Sequence, residues 1–227
     1  MWVLRGVRLI GRLSRFVEPG LARLARGLHG LGLKPNHITL MSFCCSVAAA
    51  VAFVVVAEPS LKGVYAGILL LLSGLLDATD GAMARLYGEV SHFGAFLDSV
   101  LDRISEIVVY WSLVYSKLVD WPIGLVALSG SLMVSYARAR AEQLGAEMKG
   151  VGIAERAERL LILVVAAFVS QLNAGVFLIA LLSAITVVQR IKHARSTMTD
   201  AHRPAKQRGT DHRSTPATGQ RTNHVQT

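Results

Sequence analysis

Two neighbouring stretches decide the reading of this chain: Leu75-Leu76-Asp77-Ala78-Thr79-Asp80-Gly81-Ala82-Met83-Ala84-Arg85, and Phe93-Gly94-Ala95-Phe96-Leu97-Asp98-Ser99-Val100-Leu101-Asp102. Each sits at the edge of a long apolar segment. Ionisable groups inside such a segment are costly and mark function by default. Asp77 and Asp80 are three apart, and Asp98 and Asp102 four apart, so each pair shares one helix face. The short connector predicts an antiparallel helical hairpin. At about 1.5 Å rise per residue it brings the two pairs to a similar depth. Four carboxylates brought together cannot all stay ionised without cations. Hard oxygen donors suit Mg²⁺, Mn²⁺ or Ca²⁺, and two such ions would balance four carboxylates and still attract a diphosphate. The bland alternative is ion pairing of these aspartates with Arg85 and Arg103, but two arginines cannot neutralise four carboxylates.

The surroundings are those of a polytopic membrane protein. The chain has 227 residues, 52% of them hydrophobic, and a mean hydropathy of +0.46, too apolar for an ordinary soluble domain. Apolar segments at about 38–57, 62–84, 93–117, 121–145, 156–172 and 174–191 predict an all-α fold of six transmembrane helices. The fifth is short, and its boundary with the sixth near Gln171-Leu172-Asn173 is weakly marked. The net charge of +9 is concentrated at the two ends, and the middle of the chain is net negative. Anionic lipid headgroups, rather than nucleic acid, suit basic ends that flank hydrophobic spans. The stretches that hold nearly all the Lys and Arg fall on one side, which predicts a cytoplasmic location for both termini and for the aspartates in a multi-pass cell-membrane protein.

Three regions follow. Residues 1–30 interleave arginines with Leu, Ile, Val and Phe at roughly helical spacing, with a break expected at Pro19-Gly20. They predict an amphipathic juxtamembrane segment. Residues 31–192 form the six-helix body, and the polar residues 193–227 are expected to be a disordered basic tail. No cleavable signal peptide is expected. Cys44 and Cys45, adjacent in an apolar run, read as small packing residues. Gly63-x3-Gly67 suits close packing of helices or of a dimer. His37 and His92 read as interfacial polar residues. The acids cluster at one end of their spans and the opposite halves are apolar, which argues against a divalent-cation transporter.

Asp77-x2-Asp80-Gly81-x2-Ala84-Arg85-x8-Gly94-x3-Asp98-x3-Asp102 resembles, without a departure, the signature of the CDP-alcohol phosphotransferases. The resemblance spans roughly residues 30–192. It implies six transmembrane helices, a homodimer, a CDP-linked lipid donor, an alcohol acceptor and CMP as product. It implies that Asp77, Asp80 and Asp98 are metal ligands, with Mg²⁺ or Mn²⁺ as two ions. It makes Asp102 the general base on the acceptor hydroxyl, in contact with metal as well. Gly81, Ala84, Arg85 and Gly94 would line the CDP pocket. Pro35-Asn36-x2-Thr39 is similar to a short family element near the nucleotide, which would add Asn36 and Thr39.

The acceptor is read further along, in Ser135-Tyr136-Ala137-Arg138-Ala139-Arg140-Ala141-Glu142 and Gly152-Ile153-Ala154-Glu155-Arg156-Ala157-Glu158-Arg159. Four arginines beside a cavity suit an anion, since guanidinium forks phosphate oxygens well. The spacings of Arg138 with Glu142 and of Glu155 with Arg159 suit plain ion pairs equally. Both segments resemble the branch that makes phosphatidylinositol phosphate and archaetidylinositol phosphate. That likeness implies an acceptor-phosphate site of Ser135, Arg138, Arg140, Arg156 and Arg159, with a basic residue near the end of the last span, Arg190 or Lys192. The expected reaction is lipid-phosphate transfer to inositol 1-phosphate, from CDP-diacylglycerol or CDP-archaeol. Glycerol 3-phosphate, which also carries a phosphate, is the competing acceptor.

Overall fold

The computed structural model describes residues 18–201 and is helical throughout, with no strand among the described residues. Residues 18–30 form α1. Then come α2 (Pro35–Val55), α3 (Pro59–Tyr87), α4 (His92–Tyr115), α5 (Trp121–Gln143), α6 (Arg156–Phe168) and α7 (Leu172–Ala201). Prolines open α2, α3 and α5 in the first turn, where the missing N–H has no intrahelical partner to lose. Gly88, at φ 67°, closes α3 in the left-handed conformation that glycine adopts without strain. Ser91 caps α4 by accepting from the Gly94 N–H at 3.0 Å.

Among the described residues, three helical stretches are long and apolar enough to cross a membrane: α2, Leu61–Tyr87 within α3, and Leu172–Thr199 within α7. α6 has only 13 residues, shorter than the expected segment 156–172 and than the roughly 20 residues a span requires. It ends at Phe168, Ser170 turns at φ 56°, and α7 begins at Leu172. This places the weakly marked fifth boundary.

α3 and α4 run consecutively and meet where Asp77, Asp98 and Asp102 converge, and both pack closely on α2. Buried serines fasten it to α3. Ser42 Oγ donates to the Ser73 carbonyl at 2.9 Å, and Ser46 Oγ lies 2.7 Å from Ser73 Oγ. In an apolar interior, hydroxyls on facing small residues supply both close approach and polar contact. α5 packs on α7, and α6 lies between α3 and α7. Gly63, Gly67 and Gly74 all face α6: a Cβ on them would meet Ala167, Phe168 and Leu160 respectively. The glycine pair therefore packs helices within the chain.

Disorder is expected from residue 193, but over 193–201 the chain is helical, because α7 continues to Ala201. Ala194 and Met198 pack against Ala141, Ala146 and Met148, so this last stretch has an apolar face to bury. The rest of the expected tail, residues 202–227, lies outside the described residues, as does 1–17 of the basic N-terminal segment. In the described part of that segment Pro19 and Gly20 are helical. α1 buries Ala25 and half-buries Leu28 on the bundle and exposes Arg23 and Arg26. His29 stacks on Tyr87 of α3 with ring centroids 3.6 Å apart.

Candidate active site

Three of the four carboxylates expected to meet do so. Asp77 from α3 and Asp98 and Asp102 from α4 place ligand oxygens within 4.8 Å of one another. Asp80 is buried one turn beyond Asp77, beside Thr39. Its Oδ2, and Oδ1 of Asp98, are buried with no hydrogen-bond partner in the protein. Buried polar atoms are rarely left so, and burying an unpaired carboxylate costs still more. Crowded, partly orphaned carboxylate oxygens are the donor set a hard divalent cation requires. The residues fit a metal centre.

What chiefly neutralises the cluster is neither of the two arginines, Arg85 and Arg103, weighed from the sequence alone. Arg156, from the start of α6, reaches Asp77 Oδ1 with Nη1 at 2.7 Å and Asp102 Oδ1 with Nη2 at 2.8 Å. Arg103 adds a looser contact to Asp102 at 3.5 Å. The Arg85 guanidinium instead lies over Gly81, where a Cβ would stand 3.2 Å from Nη1.

A cavity of about 620 Å³ opens on the cluster, lined by Asp77, Asp98 and Asp102 on one side. Ser135, Arg138, Arg156, Arg159 and Arg190 line it elsewhere. Five of the six residues expected to meet the acceptor phosphate thus share one cavity. The sixth, Arg140, is absent from the lining and donates to Gln143 Oε1 at 2.7 Å. Two residues on from Arg138 is some 200° around the helix, the wrong face.

Each cavity arginine is held differently. Arg138 pairs with Glu142 at 2.9 Å in an exposed contact. Arg159, 3% exposed, ignores Glu155 and pairs with Glu106 of α4 at 2.5 Å. Arg190, 2% exposed, donates to the carbonyls of Val151 at 2.9 Å and Val134 at 2.5 Å, and lies 3.4 Å from Glu155. It thereby ties the 146–155 connector to α5 and α7. Gly152, at φ 117°, lets that connector pass Thr186 and Arg190 closely.

The residues expected near the nucleotide gather where α2 begins, α3 ends and α4 begins. Asn36 abuts Gly94: a Cβ on that glycine would stand 3.0 Å from Asn36 Oδ1. Thr39 Oγ1 donates to the Pro35 carbonyl at 3.1 Å. His37 Nδ1 accepts from the Lys34 N–H at 3.3 Å, so this histidine serves the start of α2. None of these residues lines the large cavity. Two residues were missed on sequence grounds: Glu106, and Glu155 in its pairing with Arg190. Glu106 carried a signal, since it follows Asp98 and Asp102 at the same four-residue interval in a largely apolar segment.

Fold and site together define a membrane-integral, all-helical protein with a carboxylate centre beside an arginine-lined cavity. The chain belongs to the CDP-alcohol phosphatidyltransferase family, whose model matches residues 33–191, and it is accordingly a transferase of phospholipid synthesis. It is 37% identical over 190 residues to the archaetidylinositol phosphate synthase of Pyrococcus horikoshii, covering 84% of this chain and 98% of that one. It is 36% identical over 184 residues to the phosphatidylinositol phosphate synthase of Mycobacterium tuberculosis, covering 74% and 82%. A crystal structure of the latter with CDP-DAG bound superposes with a TM-score of 0.66 at 35% identity, over 77% of this chain and 92% of that one. Another, in complex with manganese and citrate, also gives 0.66 at 35% identity, over 78% and 89%.

Proposed function

We propose that this protein transfers a lipid-phosphate group from CDP-diacylglycerol or CDP-archaeol to inositol 1-phosphate and releases CMP. The observation that carries the reading is the shared cavity: a carboxylate centre and five phosphate-competent side chains, Ser135, Arg138, Arg156, Arg159 and Arg190, face the same space. An acceptor that brings its own phosphate needs those cations; an uncharged or cationic alcohol does not. The names of the relatives support the same acceptor.

Asp77, Asp80, Asp98 and Asp102 would hold two divalent cations, Mg²⁺ or Mn²⁺, which supply charge neutralisation for the diphosphate and stabilise the leaving phosphate. Asn36, Thr39, Gly81, Ala84, Arg85 and Gly94, none of which lines the large cavity, would take the CDP moiety. The small residues among them leave room for a nucleotide against the backbone. The acceptor phosphate, gripped by the arginines, sets the inositol hydroxyl beside Asp102. Asp102 takes the hydroxyl proton as the oxygen attacks the lipid-side phosphorus. The phosphorus–oxygen bond to the CMP moiety breaks, and CMP leaves with that bond's electron pair. Arg156 neutralises Asp77 and Asp102 in this structure and stands within the same cavity, so it serves the acceptor phosphate once those carboxylates are otherwise balanced.

The same reading takes α2 through α7 as six spans. Exposed Trp111, Tyr115, Leu125, Val126, Leu161 and Val165 on α4, α5 and α6 support it, since they offer an apolar surface to lipid. It places the cavity and both ends of the chain on the cytoplasmic side, by the distribution of Lys and Arg. It takes α1 as a juxtamembrane helix against anionic lipid and the active species as a homodimer.

The deciding experiment is CMP release by the purified protein from CDP-diacylglycerol and CDP-archaeol, with inositol 1-phosphate, inositol and glycerol 3-phosphate compared. Turnover with inositol 1-phosphate at least tenfold above free inositol is expected, since the missing phosphate forfeits several charge-assisted contacts, each of about 1.5–3 kcal/mol, and turnover above that of glycerol 3-phosphate is expected from the inositol ring. Brisk turnover of glycerol 3-phosphate with none of inositol 1-phosphate would sink the assignment.

A further inference from the structure

Glu106 has no place in the reaction just described, yet it is partly buried in the middle of α4 and in contact with a cavity arginine. Its carboxylate accepts from Arg159 Nη2 at 2.5 Å. One turn earlier on the same face of α4, Asp102 accepts from Arg156. On α6 the two arginines are three residues apart, also on one face. Two ion pairs therefore form successive rungs between α4 and α6.

The rungs differ. Arg156 is partly exposed and shares itself between Asp77 and Asp102. Arg159 is buried, and its other end donates to the Ala154 carbonyl at 3.0 Å, which fixes the guanidinium from two sides. Its Nε is buried without a partner. A second, small cavity is lined by Glu106 with Arg156, Arg159 and Leu160; the last three also line the large cavity, and Glu106 does not. Glu106 thus holds the arginine from outside the lining of the acceptor space.

We propose that Glu106 is a positioning residue for the acceptor-phosphate site, holding the Arg159 guanidinium from outside that lining so that its remaining donor edge serves the phosphate. The inference rests on the reading of Arg159 as an acceptor contact. A carboxylate at this point does two things that apolar packing cannot. It compensates a guanidinium buried in an apolar interior, where an unpaired charge is costly. It also fixes the plane of the fork, which decides whether two donors meet one phosphate.

The test is steady-state kinetics of the full chain, with Glu106→Gln, Glu106→Asp, Arg159→Gln and the double variant E106Q/R159Q. Glu106→Gln is expected to raise KM for inositol 1-phosphate about tenfold and to leave KM for the CDP-lipid within about twofold, the pattern of lost acceptor binding. Glu106→Asp should recover part of that loss. In the Arg159→Gln background, adding Glu106→Gln should change acceptor KM little, because its effect passes through that arginine. An unchanged acceptor KM in Glu106→Gln overturns the proposal, as does a parallel rise in both KM values or a further rise in the double variant. If Glu106→Gln alone does not fold, the double variant against Arg159→Gln decides by the same criterion. Wild-type protein that releases no CMP with any phosphorylated acceptor removes the functional reading, and this inference falls with it. Wild-type turnover with a null effect of Glu106→Gln removes the inference alone.

Discussion

Arg156 of α6 and Asp102 of α4 form an ion pair at 2.8 Å at the centre of the carboxylate cluster. The same guanidinium holds Asp77 at 2.7 Å. A cation bound by those two oxygens and this arginine compete for the same negative charge. The arginine is therefore an internal counter-ion for the centre as well as a residue of the acceptor cavity.

This relationship makes a directional prediction for Arg156→Gln. Removing the competitor leaves the carboxylates free, so Mn²⁺ should bind about tenfold tighter, a hydrogen bond to a charged group being worth about 1.5–3 kcal/mol. CMP release should fall at the same time, through a higher KM for the phosphorylated acceptor. Titration of the purified variant followed by the Mn²⁺ electron paramagnetic resonance signal checks the first part. Weaker Mn²⁺ binding would show that the arginine supports the centre rather than competes for it.

Asp102 and Asp98 should separate when each becomes asparagine. Asp98 has a buried oxygen with no protein partner, so Asp98→Asn should weaken Mn²⁺ binding outright. Asp102→Asn removes the assigned base and should lower CMP release by roughly a hundredfold or more, while Mn²⁺ binding at the other aspartates stays measurable. Equal loss of metal in both variants would leave Asp102 with a ligand role only.

Arg190 is predicted to matter to structure and to binding alike. Its contacts to Val134, Val151 and Glu155 tie the 146–155 connector to the bundle. Arg190→Leu would leave two buried carbonyls and a carboxylate short of a partner, a loss of about 3 kcal/mol or more. Limited proteolysis should then cut within residues 146–155, and inositol 1-phosphate should protect less well than it does in the wild type. An uncut connector of normal lifetime would contradict this role.

How far these features were legible in the sequence depends on what encodes them. Apolar runs and opening prolines mark helices locally, so the ends of α2 to α5 fall close to the expected segments. The four aspartates stand out because charge within such a run needs a reason. The packing of α2 on α3 depends on the fit of Ser42, Ser46 and Ser73 across two helices, and no local pattern carries that. The partner of Arg159 was likewise hidden: Glu155 stands at helical spacing, but it lies just ahead of α6 as its N-cap and turns to Arg190, while Glu106 arrives from 53 residues away. The continuation of α7 depends on an apolar surface made by Ala141, Ala146 and Met148, invisible from a polar tail alone.

Gly63 separates packing within the chain from packing between chains. A Cβ at this position would run into the backbone carbonyl of Ala167, and backbone yields less readily than the end of a flexible side chain. Gly67 faces the Phe168 ring, which can turn aside more easily. Gly63→Val should therefore destabilise the protein by about 1–3 kcal/mol, as overpacking does, and Gly67→Ala by less. Both effects should appear as a lower thermal midpoint in detergent. The oligomeric state, read by light scattering of the folded fraction, should not change, because the glycine face is filled by α6 of the same chain. A Gly63→Val protein of normal thermal midpoint but altered oligomeric state would reverse that argument and place the glycine pair at an interface between copies.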